Sequence, residues 1–221
     1  MSSATLLDRE AVTPTAVIPD TPESLAPHRY RLTVAEYHRL GEIGIFNEDS
    51  RVELIEGDLI AMPPIGCQHA GHLDHIARPF FRQVTQGQVT EGIVRVQSPI
   101  QLGDHSEPQP DLAVLRYRED FYTQSHPRPE DVLLLIEVSD STLRYDRDTK
   151  VPLYARAGIP EVWLLDVAGQ RLEIYRRPSP EGYREIHYPA PAESIAPVLL
   201  PELVLSVASL FIPLPSTKRG E

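Results

Sequence analysis

The chain has 221 residues and a formal net charge of −11 at pH 7. This length suits one domain with a substantial core and leaves too little chain for two domains of ordinary size. The acidic balance argues against a general nucleic-acid binder, because affinity for phosphate backbones comes mainly from Lys and Arg. Cys67 is the single cysteine, which excludes an internal disulfide and a thiolate metal site and favours a reducing compartment.

Compartment and domain limits follow from the distribution of apolar residues. No stretch approaches the roughly 20 apolar residues of a membrane span, and the N-terminus lacks the basic start and apolar core of a secretory signal. We therefore expect a cytoplasmic protein without a membrane partner. Residues 1–29 are predicted to be a disordered or loosely attached tail, 30–212 a single domain and 213–221 a second tail.

The first half of the domain predicts two helices. Thr33 precedes Glu36 by three residues, a capping-box pattern, and the helix that begins there should end near Gly41. Apolar residues recur at helical spacing over about 68–86. Pro79 lies inside that stretch and is expected to kink or divide the second helix.

Strands are predicted on either side of the second helix. Residues 51–62 alternate around Glu56 and Gly57, which predicts a hairpin with a tight turn. Glu53 shares a face of this hairpin with aliphatic residues, so it is either an edge-strand charge or a functional acid. Residues 89–102 alternate again and predict one strand, bent near Ser98-Pro99.

The second half contains the predicted central strands. Residues 111–116 and 132–138 are short, nearly continuous apolar runs, typical of strands covered on both faces. A helix is predicted near 149–157, with Pro152 placed in its first turn, where a missing N–H is tolerated. Residues 161–166 should complete a crossover onto the sheet, and further strands are predicted at 171–175 and 183–187.

Two acids and a lysine accompany these central strands. Asp111 begins the first strand, Glu137 lies near the end of the second, and Lys150 falls in the following helix. Phosphodiester hydrolysis needs an activated water and compensation for developing negative charge, and Mg²⁺ held by carboxylates supplies both. The two carboxylates can meet if their strands are antiparallel neighbours, and the backbone carbonyl of Val138 can supply a third ligand. Lys150 would then orient the water or stabilise the phosphate, and Glu53 would reach the cation through water.

The motifs, taken in order, resemble the Uma-two family of restriction-endonuclease-like proteins, within the PD-(D/E)XK nuclease superfamily. They are ELIEGDL, MPP followed by a nearby histidine, QPDLAV, IEVSDST, YDRDTK and LYARAGIPEVWLLD, and the resemblance covers about residues 32–211. It implies an α/β (α+β) fold, in which a mixed central sheet is flanked by helices after an N-terminal hairpin. It also implies an endonuclease that hydrolyses DNA with Mg²⁺, or with Mn²⁺ in its place.

The same resemblance assigns the metal acids to Asp111 and Glu137 and an accessory acid to Glu53. The simplest superfamily pattern has a lysine two residues after the second acid, where this chain has Ser139. The family pattern places that function on the following helix, which points to Lys150. Gln109, which opens the QPDLAV motif, is an accessory candidate.

Some candidates also have an ordinary structural interpretation. Asp146 lies four residues before Lys150, so it is either an accessory residue or the partner in a surface ion pair worth only about 0.3 to 0.5 kcal/mol. Tyr154 and Trp163 are expected in the core rather than stacked on bases.

Three histidines lie close together at the start of the second predicted helix. His69, His72 and His75 are three residues apart, so each step rotates around the helix by about 300° and they cannot share one face. A zinc site is therefore not expected there. His69 is a candidate helper near the active site.

Two hypotheses from different classes follow. The first is a Mg²⁺-dependent endonuclease in which Asp111 and Glu137 hold the cation and Lys150 assists. The second is a non-catalytic binding module that uses a nuclease-like fold to bind a protein or nucleic acid. The acidic net charge favours the second, and the presence of all three chemical groups favours the first. By analogy with nucleases that cut both strands, a homodimer is a further hypothesis.

Overall fold

The structure is a computed structural model that describes residues 29–46, 50–85 and 92–212. The predicted tails at 1–29 and 213–221 lie outside these residues, apart from Arg29. The chain divides into two units, Met1–Tyr30 and Arg31–Glu221, and the second contains the elements described below. Within the described residues, no helix combines the length and apolar character needed to cross a membrane.

A six-stranded mixed sheet forms the centre of the second unit. The strands are β1 Val52–Ile55, β2 Asp58–Ala61, β3 Gly92–Val96, β4 Leu112–Arg116, β5 Val132–Ser139, β6 Glu161–Asp166, β7 Arg171–Ser179, β8 Gly182–His187, β9 Ser194–Ile195 and β10 Leu205–Ser206. β3 to β8 are neighbours in chain order, all antiparallel except the parallel pair β5 and β6. β1 with β2, and β9 with β10, form separate two-stranded sheets. The predicted hairpin and mixed central sheet are confirmed.

Helices accompany the sheet. They are α1 Val34–Glu42, α2 Cys67–Thr85, α3 Leu143–Tyr145, a π-helical turn Asp146–Lys150, and α4 Val151–Arg156, with short 3-10 helices at Pro129–Asp131 and Val207–Leu210. The predicted capping box is present: Thr33 Oγ1 accepts a hydrogen bond from the Glu36 N–H, and the Glu36 carboxylate accepts one from the Thr33 N–H. α2 continues through Pro79, so of the two predicted effects, a kink or a division, the division does not occur.

The two central strands are covered on both faces, as their apolar runs predict. Leu112 and Val114 belong to the core cluster that includes α2 residues, whereas Ala113 and Leu115 belong to the cluster that includes Tyr154 of α4. Successive side chains of a strand point to opposite faces. Odd-numbered residues of β4, and of β5 from Leu135 onward, therefore face the layer that contains α4.

The helical run between β5 and β6 starts earlier than predicted, at Leu143 rather than near residue 149. Pro152 lies in the first turn of α4, as predicted, and directly behind the π-helical turn. There the N–H of Val151 bonds to the carbonyl of Asp146, five residues back. In a regular helix a proline ring clashes with the carbonyl four residues back, and the wider π turn gives the Pro152 ring room. The run still connects parallel strands β5 and β6, which confirms the predicted crossover.

The strand predicted over 89–102 is shorter in the structure. β3 ends at Val96, Gln97 has φ 45°, and the chain turns away at Pro99. Residues 100–102 instead pair with the 106–108 segment, through N–H bonds from Ile100 to the Pro108 carbonyl and from Leu102 to the Ser106 carbonyl. Residues 86–91, which include the predicted start of this strand, lie outside the described residues.

The β1–β2 turn depends on Gly57. Glu56 and Gly57 have φ of 49° and 84°, and a Cβ at Gly57 would lie 2.5 Å from the Cβ of Arg31. Gly158 has a similar φ of 82°, but a Cβ added there would meet nothing within 4 Å. The two glycines thus share a backbone conformation and differ in crowding.

We expect Gly158→Ala to lower the free energy of unfolding by about 1 to 2 kcal/mol, the cost of a side chain in the left-handed region. Gly57→Ala should cost a further 1 to 3 kcal/mol or so, because the methyl group must displace the Arg31 backbone. Urea denaturation of both variants measures the difference. Equal losses would show that the close approach at Gly57 contributes nothing.

Candidate active site

Strand pairing brings the two predicted metal acids together. β4 and β5 are antiparallel neighbours, the condition under which the two acids were expected to meet, and Leu112 pairs with Ile136, so Asp111 comes opposite Glu137. The backbone N–H of Asp111 lies 3.4 Å from Glu137 Oε2. Both residues are odd-numbered and point to the α4 layer. The hairpin, the 107–111 segment and the π turn meet the strand ends at this point.

A cavity of about 170 Å³ collects the predicted residues. Its lining includes all seven predicted residues: Glu53, His69, Gln109, Asp111, Glu137, Asp146 and Lys150. Val138 contributes through its backbone, since its N–H donates to Asp111 Oδ2 at 2.9 Å. A hydrogen bond from the His69 ring to the Val138 backbone contributes to the raised pKa of His69, so the Val138 carbonyl faces the same side as its N–H.

Lys150 lies at the centre of the acidic groups. Its Nζ is 2.9 Å from Glu137 Oε1 and 3.5 Å from Glu53 Oε1, and it donates to the Gln109 carbonyl at 3.4 Å. The Tyr154 hydroxyl donates to the same Glu137 oxygen. Lys150, Glu53 and Glu137 are each no more than 3 % exposed, so these contacts are shielded from water.

The pKa values in this cluster reflect burial first and neighbouring charge second. Burial raises the pKa of Glu137 to about 8, although Lys150 opposes the rise. Burial also raises the pKa of Glu53, again against Lys150. For Lys150 itself, burial alone would lower the pKa, but the attraction of Glu137, Glu53 and Asp146 outweighs it and the pKa is raised. The Lys150 ammonium therefore stays charged, and the carboxyl groups of Glu137 and Glu53 share it as their ion-pair partner.

Asp111 has a different environment, in which its carboxylate is stabilised. Oδ1 contacts His69 Nε2 at 2.9 Å, and Oδ2 accepts the Val138 N–H. Burial alone would raise the pKa of Asp111, but the hydrogen bond and charge of His69 outweigh it and the pKa is lowered. The same hydrogen bond raises the pKa of His69. His69 thus holds Asp111 in its ionised form.

Asp146 is not the surface partner of Lys150 that one interpretation of their spacing proposed. Asp146 is 3 % exposed and Lys150 2 %, so that interpretation is wrong. Asp146 accepts hydrogen bonds from Ser139 Oγ at 2.7 Å and from Thr142 Oγ1 at 2.6 Å. Ser139, at the position of the lysine in the simplest superfamily pattern, therefore positions an acid of the cavity.

The donor set and its charge balance suit a small divalent cation. Glu53, Asp111, Glu137 and Asp146 face the same cavity as one ammonium, and hard oxygen ligands are what Mg²⁺ prefers. Glu53 Oε2 is buried and makes no hydrogen bond. The backbone N–H of Gln109 lies near enough to lower the Glu53 pKa without completing a hydrogen bond to that oxygen. A buried carboxylate oxygen without a partner is destabilising unless a cation or water satisfies it.

Sequence reasoning missed two contributors to this cavity. Tyr154 is buried in the core as expected, but its hydroxyl also bonds to Glu137. Arg51 lines the cavity and donates to the Pro63 carbonyl at 2.6 Å. The sequence signal that could have identified Arg51 is its position directly before β1, the strand that contains Glu53. Trp163 is fully buried and donates to Glu161, so it presents no ring to a base.

The histidines of α2 have separate partners. His69 contacts Asp111, His72 Nδ1 contacts the Gln68 carbonyl, and His75 Nε2 contacts the Ser209 carbonyl. Of these three histidines, His69 lines the cavity.

Comparison with known proteins agrees with this fold. Residues 34–208 match the Uma2 family, described as "Putative restriction endonuclease". The crystal structure of an Anabaena variabilis protein, described as a "putative nuclease belonging to DUF820", superposes with a TM-score of 0.64. It is 19 % identical, and the match covers 81 % of this chain and 97 % of that one, which shows a shared fold. None of the curated proteins matches. With 34–208 matched and the fold shared, the chain belongs to the Uma2 family of restriction-endonuclease-like proteins.

Proposed function

We propose that this protein is a Mg²⁺-dependent endonuclease that hydrolyses DNA phosphodiester bonds, with Mn²⁺ able to replace Mg²⁺. The observation that supports it most is the meeting of Asp111, Glu137, Glu53 and Lys150 in one cavity. Membership of the Uma2 family and the fold shared with the Anabaena nuclease-like protein both suggest nuclease chemistry.

Asp111, Glu137 and the Val138 carbonyl would hold the cation, with Glu53 joining through water. When bound, such a cation activates a water molecule and offsets the negative charge that develops on the phosphate. His69 keeps Asp111 ionised, and the Val138 N–H fixes the Asp111 side chain. The Tyr154 hydroxyl fixes Glu137 in the same way.

Lys150 would act through its charge. Because its pKa is raised, the side chain is an ammonium at neutral pH and cannot accept a proton from water. It can orient the attacking water or stabilise the additional negative charge of the phosphate in the transition state. Gln109 and Glu53 hold this ammonium in place.

The rim of the cavity would receive the phosphate. Arg51 lines it together with the 62–66 and 140–142 segments, and its planar guanidinium suits bidentate contact with phosphate oxygens. We assign Arg51 to substrate binding, outside the group that holds the cation.

A non-catalytic binding module is the second candidate, favoured by the net charge of −11. An acidic chain associates with DNA more slowly and weakly than a basic one. The two candidates differ in turnover, because a binding module does not cut DNA at any cation concentration.

Plasmid cleavage with Mg²⁺ or Mn²⁺ separates these candidates. We expect Asp111→Asn, Glu137→Gln and Lys150→Ala to lower the cleavage rate at least about 100-fold, since each removes charge stabilisation at the reacting phosphate. Asp148→Asn is the matched control, because Asp148 lies in the same π turn but its carboxylate pairs with the exposed Arg144. This control should keep the wild-type rate.

Cleavage that survives both Asp111→Asn and Lys150→Ala would place the activity elsewhere or in a contaminant. Wild-type protein that binds DNA but never cuts it would support the binding module. If a homodimer acts on both strands, linear plasmid should appear without prior accumulation of nicked circles.

The stability of the metal-free protein should depend on pH through Glu137. Its pKa is raised from 4.5 to about 8 in the folded state. The stability that protonated Glu137 contributes is therefore complete below the pKa of the unfolded chain, 4.5, and is lost as pH rises through about 8. Glu137→Gln removes this titration. In EDTA, the variant should gain stability relative to wild type between pH 5 and 8, by on the order of 1 kcal/mol per pH unit. Urea denaturation at several pH values measures this, and a constant difference would contradict the assignment.

A further inference from the structure

A second group of metal-ligating side chains lies outside the candidate active site. His38 of α1, Glu107 and His126 each offer one ligand atom, and these atoms lie within 4.8 Å of one another. Among the described residues, 29–46, 50–85 and 92–212, these are the three His, Cys, Asp or Glu side chains whose ligand atoms all lie this close to one another. The three residues come from separate parts of the chain, so their meeting is a product of the tertiary fold.

Distances within the group are close to those of a coordination sphere. His38 Nε2 is 2.8 Å from Glu107 Oε1 and 3.0 Å from Oε2. Metal–ligand bonds of roughly 2.0 to 2.2 Å place neighbouring ligand atoms about 3.3 Å apart in a tetrahedral site. The His38–Glu107 separation is near this value, and the ligand atom of His126 lies within 4.8 Å of both.

Glu107 is the fixed member of the group. Its side chain is 3 % exposed, against 45 % for His38, and its backbone N–H bonds to the Leu54 carbonyl at 2.7 Å. A carboxylate with so little access to water needs a positive partner. His38 is the ring that contacts it, and the rings of His38 and His126 lie edge to face, 6.0 Å apart.

Space for a further ligand is present beside the two imidazoles. His38 and His126 line a cavity of about 370 Å³, together with Gln101, Tyr122, Thr123, Gln124 and Ser125. Three protein ligands with one position open to water are typical of zinc sites that are not purely structural.

We propose that His38, Glu107 and His126 bind a divalent transition-metal ion of the Zn²⁺ class. Two imidazole nitrogens and one carboxylate suit Zn²⁺, Co²⁺ or Ni²⁺, whereas Mg²⁺ prefers oxygen ligands throughout. The site is separate from the cavity that contains Asp111 and Glu137, and it does not depend on the proposed nuclease function. The ion would join α1, the 103–110 segment and the 117–128 segment.

Metal titration of the full-length protein tests this proposal. Metal-free wild type should bind one equivalent of Zn²⁺ by calorimetry outside the nuclease cavity, and Co²⁺ bound there should show visible absorption that Zn²⁺ abolishes. His126→Ala and His38→Gln should each weaken Zn²⁺ binding at least tenfold. His38→Gln keeps a hydrogen-bond donor for Glu107, so the contact between α1 and Glu107 can survive the substitution.

Two control variants make the result specific. His187→Ala removes an exposed histidine of β8 that pairs with Glu193, and it should bind Zn²⁺ like wild type. Asp111→Asn should also retain this Zn²⁺ equivalent, which separates the site from the candidate nuclease cavity. The proposal is overturned if wild type binds no Zn²⁺, or if the only Zn²⁺ bound is lost in Asp111→Asn and unchanged in both histidine-cluster variants. Circular dichroism confirms that each variant is folded.

Discussion

The buried ammonium of Lys150 is the interaction on which the site depends. In a low-dielectric interior an unpaired charge is severely destabilising, and removing one partner of a buried pair costs about 3 to 5 kcal/mol. Lys150 is paired with Glu137 and reaches Glu53 and the Gln109 carbonyl. The hairpin, the 107–111 segment, β5 and the π turn must therefore meet at one point for the ammonium to be satisfied.

The same constraint explains how a lysine from a helix can replace one from a strand. Ser139 is odd-numbered on β5, so its side chain faces the layer that contains Glu137 and α4. Lys150 enters that layer from the opposite side, through the π turn. Ser139 then has a different task, since its hydroxyl holds the Asp146 carboxylate. Asp146 and Lys150 are four residues apart and thus share one face of this helical run, and both are buried.

Local patterns in the sequence predicted those parts of the fold that local chemistry determines. The capping box at Thr33, the tight turn at Gly57 and the apolar runs of β4 and β5 each depend on neighbouring residues, and each was confirmed. Asp111 and Glu137 were expected to meet on the condition that their strands are antiparallel neighbours, and the structure meets that condition. The helix start at Leu143, the end of β3 at Val96 and the hydroxyl of Tyr154 on Glu137 depend on contacts distant in sequence. No periodicity in the chain encodes those contacts.

Burial changes what the acidic composition means for DNA binding. Among the described residues, eight acids and one lysine are buried, namely Glu53, Glu107, Asp111, Glu137, Asp146, Glu161, Asp166, Glu173 and Lys150. Against a formal net charge of −11, four of these acids, Glu107, Glu161, Asp166 and Glu173, are buried away from the candidate active site, whereas the other four line it. Glu161, Asp166 and Glu173 are paired with arginines. The composition therefore overstates the repulsion between this protein and DNA. A cation bound among Asp111, Glu137 and Glu53 would reduce that repulsion further, at the point where the phosphate would approach.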